Sequence, residues 1–154
     1  MESLASEFLF VLTMQTGGRI TVGDATYGNR IIAPIEGGEF EGPALKGKVL
    51  SGGDWLLIRD NGCRVLDVRV ALETDDGHPV YMTYGGRWMA DPLRQTRVFA
   101  RETSHLVDPS EYYLRAIIQF EAGDERYRWL NDILAVGVGR RIEGGVRYAV
   151  HRIL

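Results

Sequence analysis

Asp67 and Arg69 are the residues whose types and spacing best suit acid–base chemistry, two positions apart in Leu66-Asp67-Val68-Arg69-Val70-Ala71-Leu72-Glu73. At the rise of a β-strand they lie about 6.5 Å apart, close enough for their side chains to bond. A carboxyl group that moves a proton beside a guanidinium that polarises a carbonyl is the chemistry of cyclisation, dehydration or isomerisation. Glu73 shares their face but lies about 20 Å from Asp67, too far to work on the same atom, and reads as a binding residue. Tyr81 and Tyr113 add phenolic protons for a developing enolate, completing a catalytic set of Asp67, Arg69, Tyr81 and Tyr113. Trp55 and Trp129 offer apolar walls, with Arg59 on the Trp55 face and Asn131 beside Trp129 as further binding residues. Each has a plainer reading as ion pair, packing residue or solvated rim.

Other chemistries find less support. His78, His105 and His151 are isolated and show no ligand spacing, so no metal site is expected. Ser51 and Ser104 lack the setting of a hydrolytic nucleophile. The lone Cys63 cannot form an internal disulfide, which agrees with a reducing compartment. Six glycines between Gly37 and Gly53 accompany no phosphate-binding pattern and suit bulges and strand bends. The 18 basic and 21 acidic residues leave a net charge of -3 and no basic stripe, arguing against nucleic acid as a partner. No apolar run approaches the ~20 residues that span a bilayer, and the N-terminus lacks a basic-then-apolar leader, so a cytoplasmic protein without a membrane partner is expected.

The elements that must position these residues are strands. In the run from Leu66 to Glu73 one face is apolar and the other charged, which fits a sheet with a wet side or a closed barrel with a polar lumen; the residues leave both open. Phe8, Phe10, Leu12 and Met14 share one face of a first strand, with Leu9 and Val11 on the other, suggesting burial on both sides. Asp60-Asn61-Gly62 and Asp75-Asp76-Gly77 turn three strands into a meander, and Glu143-Gly144-Gly145 turns a C-terminal hairpin. A short helix is expected from Asp124 to Asn131, with another possible near Leu93 to Glu102 inside an irregular connection, 85–110, that reads as a surface excursion. About ten strands make one all-β domain over residues 1–154, a closed or strongly curled antiparallel barrel.

Nearly the whole chain resembles the family known as domain of unknown function 3237. The likeness lies in Pro34-Ile35-Glu36-Gly37-Gly38-Glu39-Phe40, Gly52-Gly53-Asp54-Trp55, Asp60-Asn61-Gly62, Leu66-Asp67-Val68-Arg69, Thr74-Asp75-Asp76-Gly77 and Trp129-Leu130-Asn131. The resemblance implies a small β-barrel, lipocalin-like in the broad sense, often a homo-oligomer, with no established active site. Some relatives are associated with cyclisation or dehydration of polyketide-like substrates. The expectation is therefore a small-molecule enzyme without a cofactor. A non-catalytic carrier and an oligomeric module with a filled barrel are the alternatives.

Overall fold

The computed structural model describes residues 2–154. Nine strands occur in chain order: β1 (Ser6–Thr16), β2 (Ile20–Ala25), β3 (Gly28–Glu41), β4 (Lys46–Ile58), β5 (Arg64–Thr74), β6 (Pro79–Met89), β7 (Tyr113–Ala122), β8 (Ala135–Ile142) and β9 (Gly145–Ile153). All pairings are antiparallel, and the pairing of β1 with β3 closes the sheet on itself. The result is an eight-stranded barrel from which β2 extends as a ninth strand on β3, against an expectation of about ten.

Alternation decides what fills the lumen. Leu66, Val68, Val70 and Leu72 of β5 point inward, as do Val80, Met82, Tyr84 and Trp88 of β6 and Leu114, Ala116, Ile118 and Phe120 of β7. An interior of eight strands is just wide enough for side chains to fill, and burying each large apolar group contributes about 1.5–3 kcal/mol. The pattern breaks in β1, where a register shift between Phe8 and Phe10 leaves Phe8 exposed while Leu9, Phe10, Leu12 and Met14 are buried.

The two ends of the barrel differ. At one end Phe10 packs on Phe40 and Phe120 at ring distances of 5.5 and 6.0 Å, beneath buried Tyr127 and Leu130. The helix expected from Asp124 to Asn131 appears there as a 3-10 turn, Arg128–Asp132, within which Asn131 clamps the end of β7: its Oδ1 accepts from the Ala122 N–H at 2.7 Å and its Nδ2 donates to the Ala122 carbonyl at 2.9 Å.

The other end is covered by the connection from β6 to β7, which holds the α-helix α1 (Gln95–Val98). This corrects the reading of that connection as a surface excursion: Val98, Phe99, Ser104 and Val107 are buried, and Phe99 meets Trp88 edge-on at 4.8 Å. Its apolar residues were too irregularly spaced to reveal a covering face.

Glycines permit the close approach of strands. A Cβ at Gly52 would run into the Arg69 carbonyl oxygen and Val70 of β5, whereas one at Gly18 meets nothing within 4 Å. Gly52→Ala should therefore cost about 2–3 kcal/mol and lower Tm by roughly 5–10 °C, while Gly18→Ala stays within ~0.5 kcal/mol of the parent. Thermal melts of the two variants check this, and equal shifts would contradict the packing described.

Candidate functional site

The polar face of β5 lies on the outside of the barrel. Asp67 and Arg69 do come together, Oδ2 to Nη2 at 3.7 Å, but their side chains are 52% and 53% exposed. Arg69 also lies over the Trp55 ring at 5.4 Å, so these three residues form a cluster on the outer wall. Glu73 pairs with Lys48 across the strand at 3.2 Å. Tyr81 and Tyr113, 39% and 53% exposed, likewise stand on the outer wall, on separate strands. Arg59 is exposed at the β4–β5 turn, Trp129 is half-buried against the closed end, and Asn131 is the clamp on β7. The expected set therefore does not line the lumen, because the apolar neighbours of Asp67 and Arg69 occupy it.

The lumen instead opens into a cavity beneath the covering connection. Space for the centres of water-sized molecules amounts to about 60 Å³. The polar residues that line it are Asp54 of β4, Arg64 of β5, Tyr84 and Trp88 of β6, Arg141 of β8 and Tyr148 of β9. Arg101 from the covering connection, Thr16 at the end of β1 and Arg19 from the β1–β2 turn complete the lining among Met14, Ile31, Leu56, Val68 and other apolar side chains.

Local structure positions each group. Asp54 and Leu56 share the inward face of β4, and Asp54 Oδ1 accepts the Asp67 backbone N–H at 3.0 Å. Tyr84 and Tyr148 meet edge-to-face at 5.3 Å across the lumen. Room for them comes from β8, where a Cβ at Gly139 would approach Leu114 and Tyr148 to 2.6 Å. Arg141 is 8% exposed; its backbone N–H donates to the Tyr112 hydroxyl at 2.9 Å, its Nε to Ser104 Oγ at 3.3 Å, and its guanidinium lies 5.5 Å from the Trp88 ring. Arg101 ties the cover to the rim by donating to the carbonyls of Gly17 and Thr16 at 2.7 and 3.0 Å.

Burial sets the electrostatics. Loss of water raises the Asp54 carboxyl to about 6, outweighing the bond from the Asp67 N–H and the attraction of Arg19 and Arg30. Burial, with Arg19 and Arg101 nearby, lowers Arg141 to about 10. Desolvation raises both Tyr84 and Tyr148, so each phenol keeps its proton at neutral pH and can donate it in a hydrogen bond.

These residues carry a signal that choosing the polar strand face overlooked. Asp54 lies two before Leu56, Arg64 two before Leu66, and Arg141 two after Gly139, each on an otherwise apolar inward face. A charged residue in apolar register is a stronger pointer than one in polar register, because it alone must be desolvated.

The family model described as "Protein of unknown function (DUF3237)" matches residues 4–153. A UPF0311 protein of Rhodopseudomonas palustris is 35% identical over 99% of this chain and 98% of its own. The crystal structure of a conserved protein of unknown function from the same organism is 33% identical, covers each chain fully and superposes with a TM-score of 0.91. A β-barrel-like protein of Acinetobacter baumannii is 30% identical, covers 100% of this chain and 98% of its own, and has a TM-score of 0.84. The crystal structure of an enzyme from Penicillium herquei shares the fold at 19% identity and a TM-score of 0.72, covering 100% of this chain and 97% of that one.

The environment of Asp54 has a consequence for stability. Its folded-state pKa lies above the ordinary 3.8, so the folded protein binds the extra proton and stability falls as pH rises from about 4 to about 6. Asp54→Asn keeps an acceptor for the Asp67 N–H and removes that loss. The variant should exceed the parent by about 2–3 kcal/mol above pH 7 and match it below pH 4. Melts at pH 4 and pH 7.5 check this, and an equal difference at both would show that Asp54 is not desolvated.

Proposed function

The chain belongs to the DUF3237 family of proteins of unknown function, and we propose that it is a small-molecule enzyme that moves a proton on a carbonyl-bearing substrate, with Asp54 as the acid or base. The observation that carries this reading is a carboxyl group held near pKa 6 inside a cavity that also presents a guanidinium and two phenols. A catalytic acid or base works best with a pKa near the operating pH. Strong perturbation by burial in a cleft is also the usual mark of such a group. The Penicillium herquei protein of the same fold is an enzyme, so this barrel is compatible with catalysis.

For a neutral substrate the step begins with Asp54 ionised. Its carboxylate takes a proton from the carbon next to the carbonyl, and the electron pair of that C–H bond moves onto the oxygen as an enolate. Arg141 and the hydroxyls of Tyr84 and Tyr148 are the donors lining the cavity that would hold this oxygen. Return of the proton to a different atom gives isomerisation. Attack of the enolate on a second carbonyl of the same molecule gives cyclisation, and expulsion of a β-hydroxyl, which takes up a proton, gives dehydration. The covering connection overlies the cavity through Arg101.

The test is exchange of deuterium from D2O into small β-diketones, β-keto esters and enol lactones, followed by NMR. The parent should accelerate exchange of at least one compound, with kcat/KM rising as pH passes through about 6 and Asp54 ionises. Asp54→Asn should lower the rate by roughly 10²–10⁴ while melting no lower than the parent. Asp67→Asn, altered on the outer wall, should keep activity within several-fold of the parent, with the pH profile moved to lower pH because the Asp67 charge helps to raise Asp54. Binding with no exchange above the Asp54→Asn background would assign the cavity to a carrier instead.

A further inference from the structure

We propose that the ligand of this cavity is a small organic anion whose carboxylate sits against Arg141 and Arg19. The inference rests on reading the cavity as a ligand site, but not on proton transfer within it. Four guanidiniums line the cavity against one carboxyl group, Asp54. Among the described residues, none of the four arginines forms an ion pair with an Asp or Glu. Arg64 and Arg101 are occupied otherwise: Arg64 donates to the Gly62 carbonyl at 2.7 Å and lies 3.5 Å above the Phe99 ring, and Arg101 holds the Gly17 and Thr16 carbonyls.

Arg141 and Arg19 are not occupied in this way. Among the described residues the single side-chain hydrogen bond of Arg141 is from Nε to Ser104, so both terminal nitrogens of a residue that is 8% exposed lack a hydrogen-bond partner there. Because Tyr112 holds its backbone N–H, the end of β8 is tied in place beneath the cover. Arg19, exposed overall at the mouth, makes no side-chain hydrogen bond among the described residues; Glu102 and Asp54 lie within electrostatic reach of it, as do Arg64, Arg101 and Arg141, but neither carboxylate forms an ion pair with it. A largely buried guanidinium such as that of Arg141, without an ion-pair partner, is costly, and a bidentate carboxylate is the group whose geometry its fork matches. The remaining lining is mainly apolar, with Thr16 and the Tyr84 and Tyr148 hydroxyls among it, which suits one small ring with its carboxylate.

Calorimetric titration of the full chain with benzoate, and with benzamide as its neutral isostere, tests this. Benzoate should bind at least ten-fold more tightly than benzamide. Arg141→Met should abolish that preference, Arg141→Lys should retain part of it, and Arg19→Gln should weaken benzoate several-fold without altering the fold. Asp54→Asn, which removes a like charge, should bind benzoate at least as well as the parent. Phenylpyruvate and malonate extend the series to a keto acid and a dicarboxylate. Failure of all three carboxylates to bind overturns the inference, as does equal affinity for benzoate and benzamide. So does a benzoate preference that survives in both Arg141→Met and Arg19→Gln; Arg19→Gln alone decides if Arg141→Met does not melt cooperatively. Carboxylate binding together with no deuterium exchange in any compound would retain the anion site and reject the proton-transfer reading.

Discussion

Closure of eight strands into a barrel governs everything else in this structure, because it divides each strand into a face that keeps water and a face that loses it. On the outside Asp67 and Arg69 bond at 3.7 Å and remain half-exposed, an arrangement of little energetic weight. On the inside one carboxyl group, Asp54, is raised to about 6, and one guanidinium, Arg141, is lowered to about 10. The same residue types thus acquire different chemistry from the parity of their positions in the strand.

The barrel uses its two ends differently. Phe10, Phe40 and Phe120 fill one end, leaving no need for polar partners there. Towards the other end the inward face of β8 carries Gly137 and Gly139, whose small size admits the Tyr148 ring, followed by Arg141. The covering connection is tied down by Arg101 on the rim carbonyls and by Ser104 on Arg141, besides the packing of Phe99 on Trp88. Two of those ties end on arginines that also line the cavity, so the charge of the site and the seating of its cover are carried by the same side chains.

Much of the fold was legible because period-two alternation and turn residues are local signals. The hairpin turns at Asn61-Gly62 and Gly144, the inward set Leu66, Val68, Val70 and Leu72, and the closed all-β architecture follow from them. The site was less legible. Asp67 and Arg69 drew notice because they stand together on a polar face, yet in a barrel that face is solvent. Asp54 and Arg141 stand alone among apolar neighbours, and only closure of the barrel, which sets β4 and β8 around one lumen, brings them to one cavity. Arg19 and Arg101 come from a turn and an irregular connection, where no periodicity reports which way a side chain points.

The charges of the cavity also bear on the direction of chemistry. Arg19 and Arg30 pull the Asp54 carboxyl downward, and burial still outweighs them, leaving it near 6. A carboxylate seated on Arg141 and Arg19 would neutralise part of that pull and add a like charge, so the bound state holds Asp54 more firmly protonated than the empty one. On the proposed reading, Asp54 would enter as a base with a neutral substrate and as an acid with an anionic one. As an acid it would give its proton to an enol carbon and recover one from the enol hydroxyl. An arginine-rich cavity with one desolvated carboxyl group would then be better matched to ketonisation of the enol of a keto acid than to the reverse enolisation.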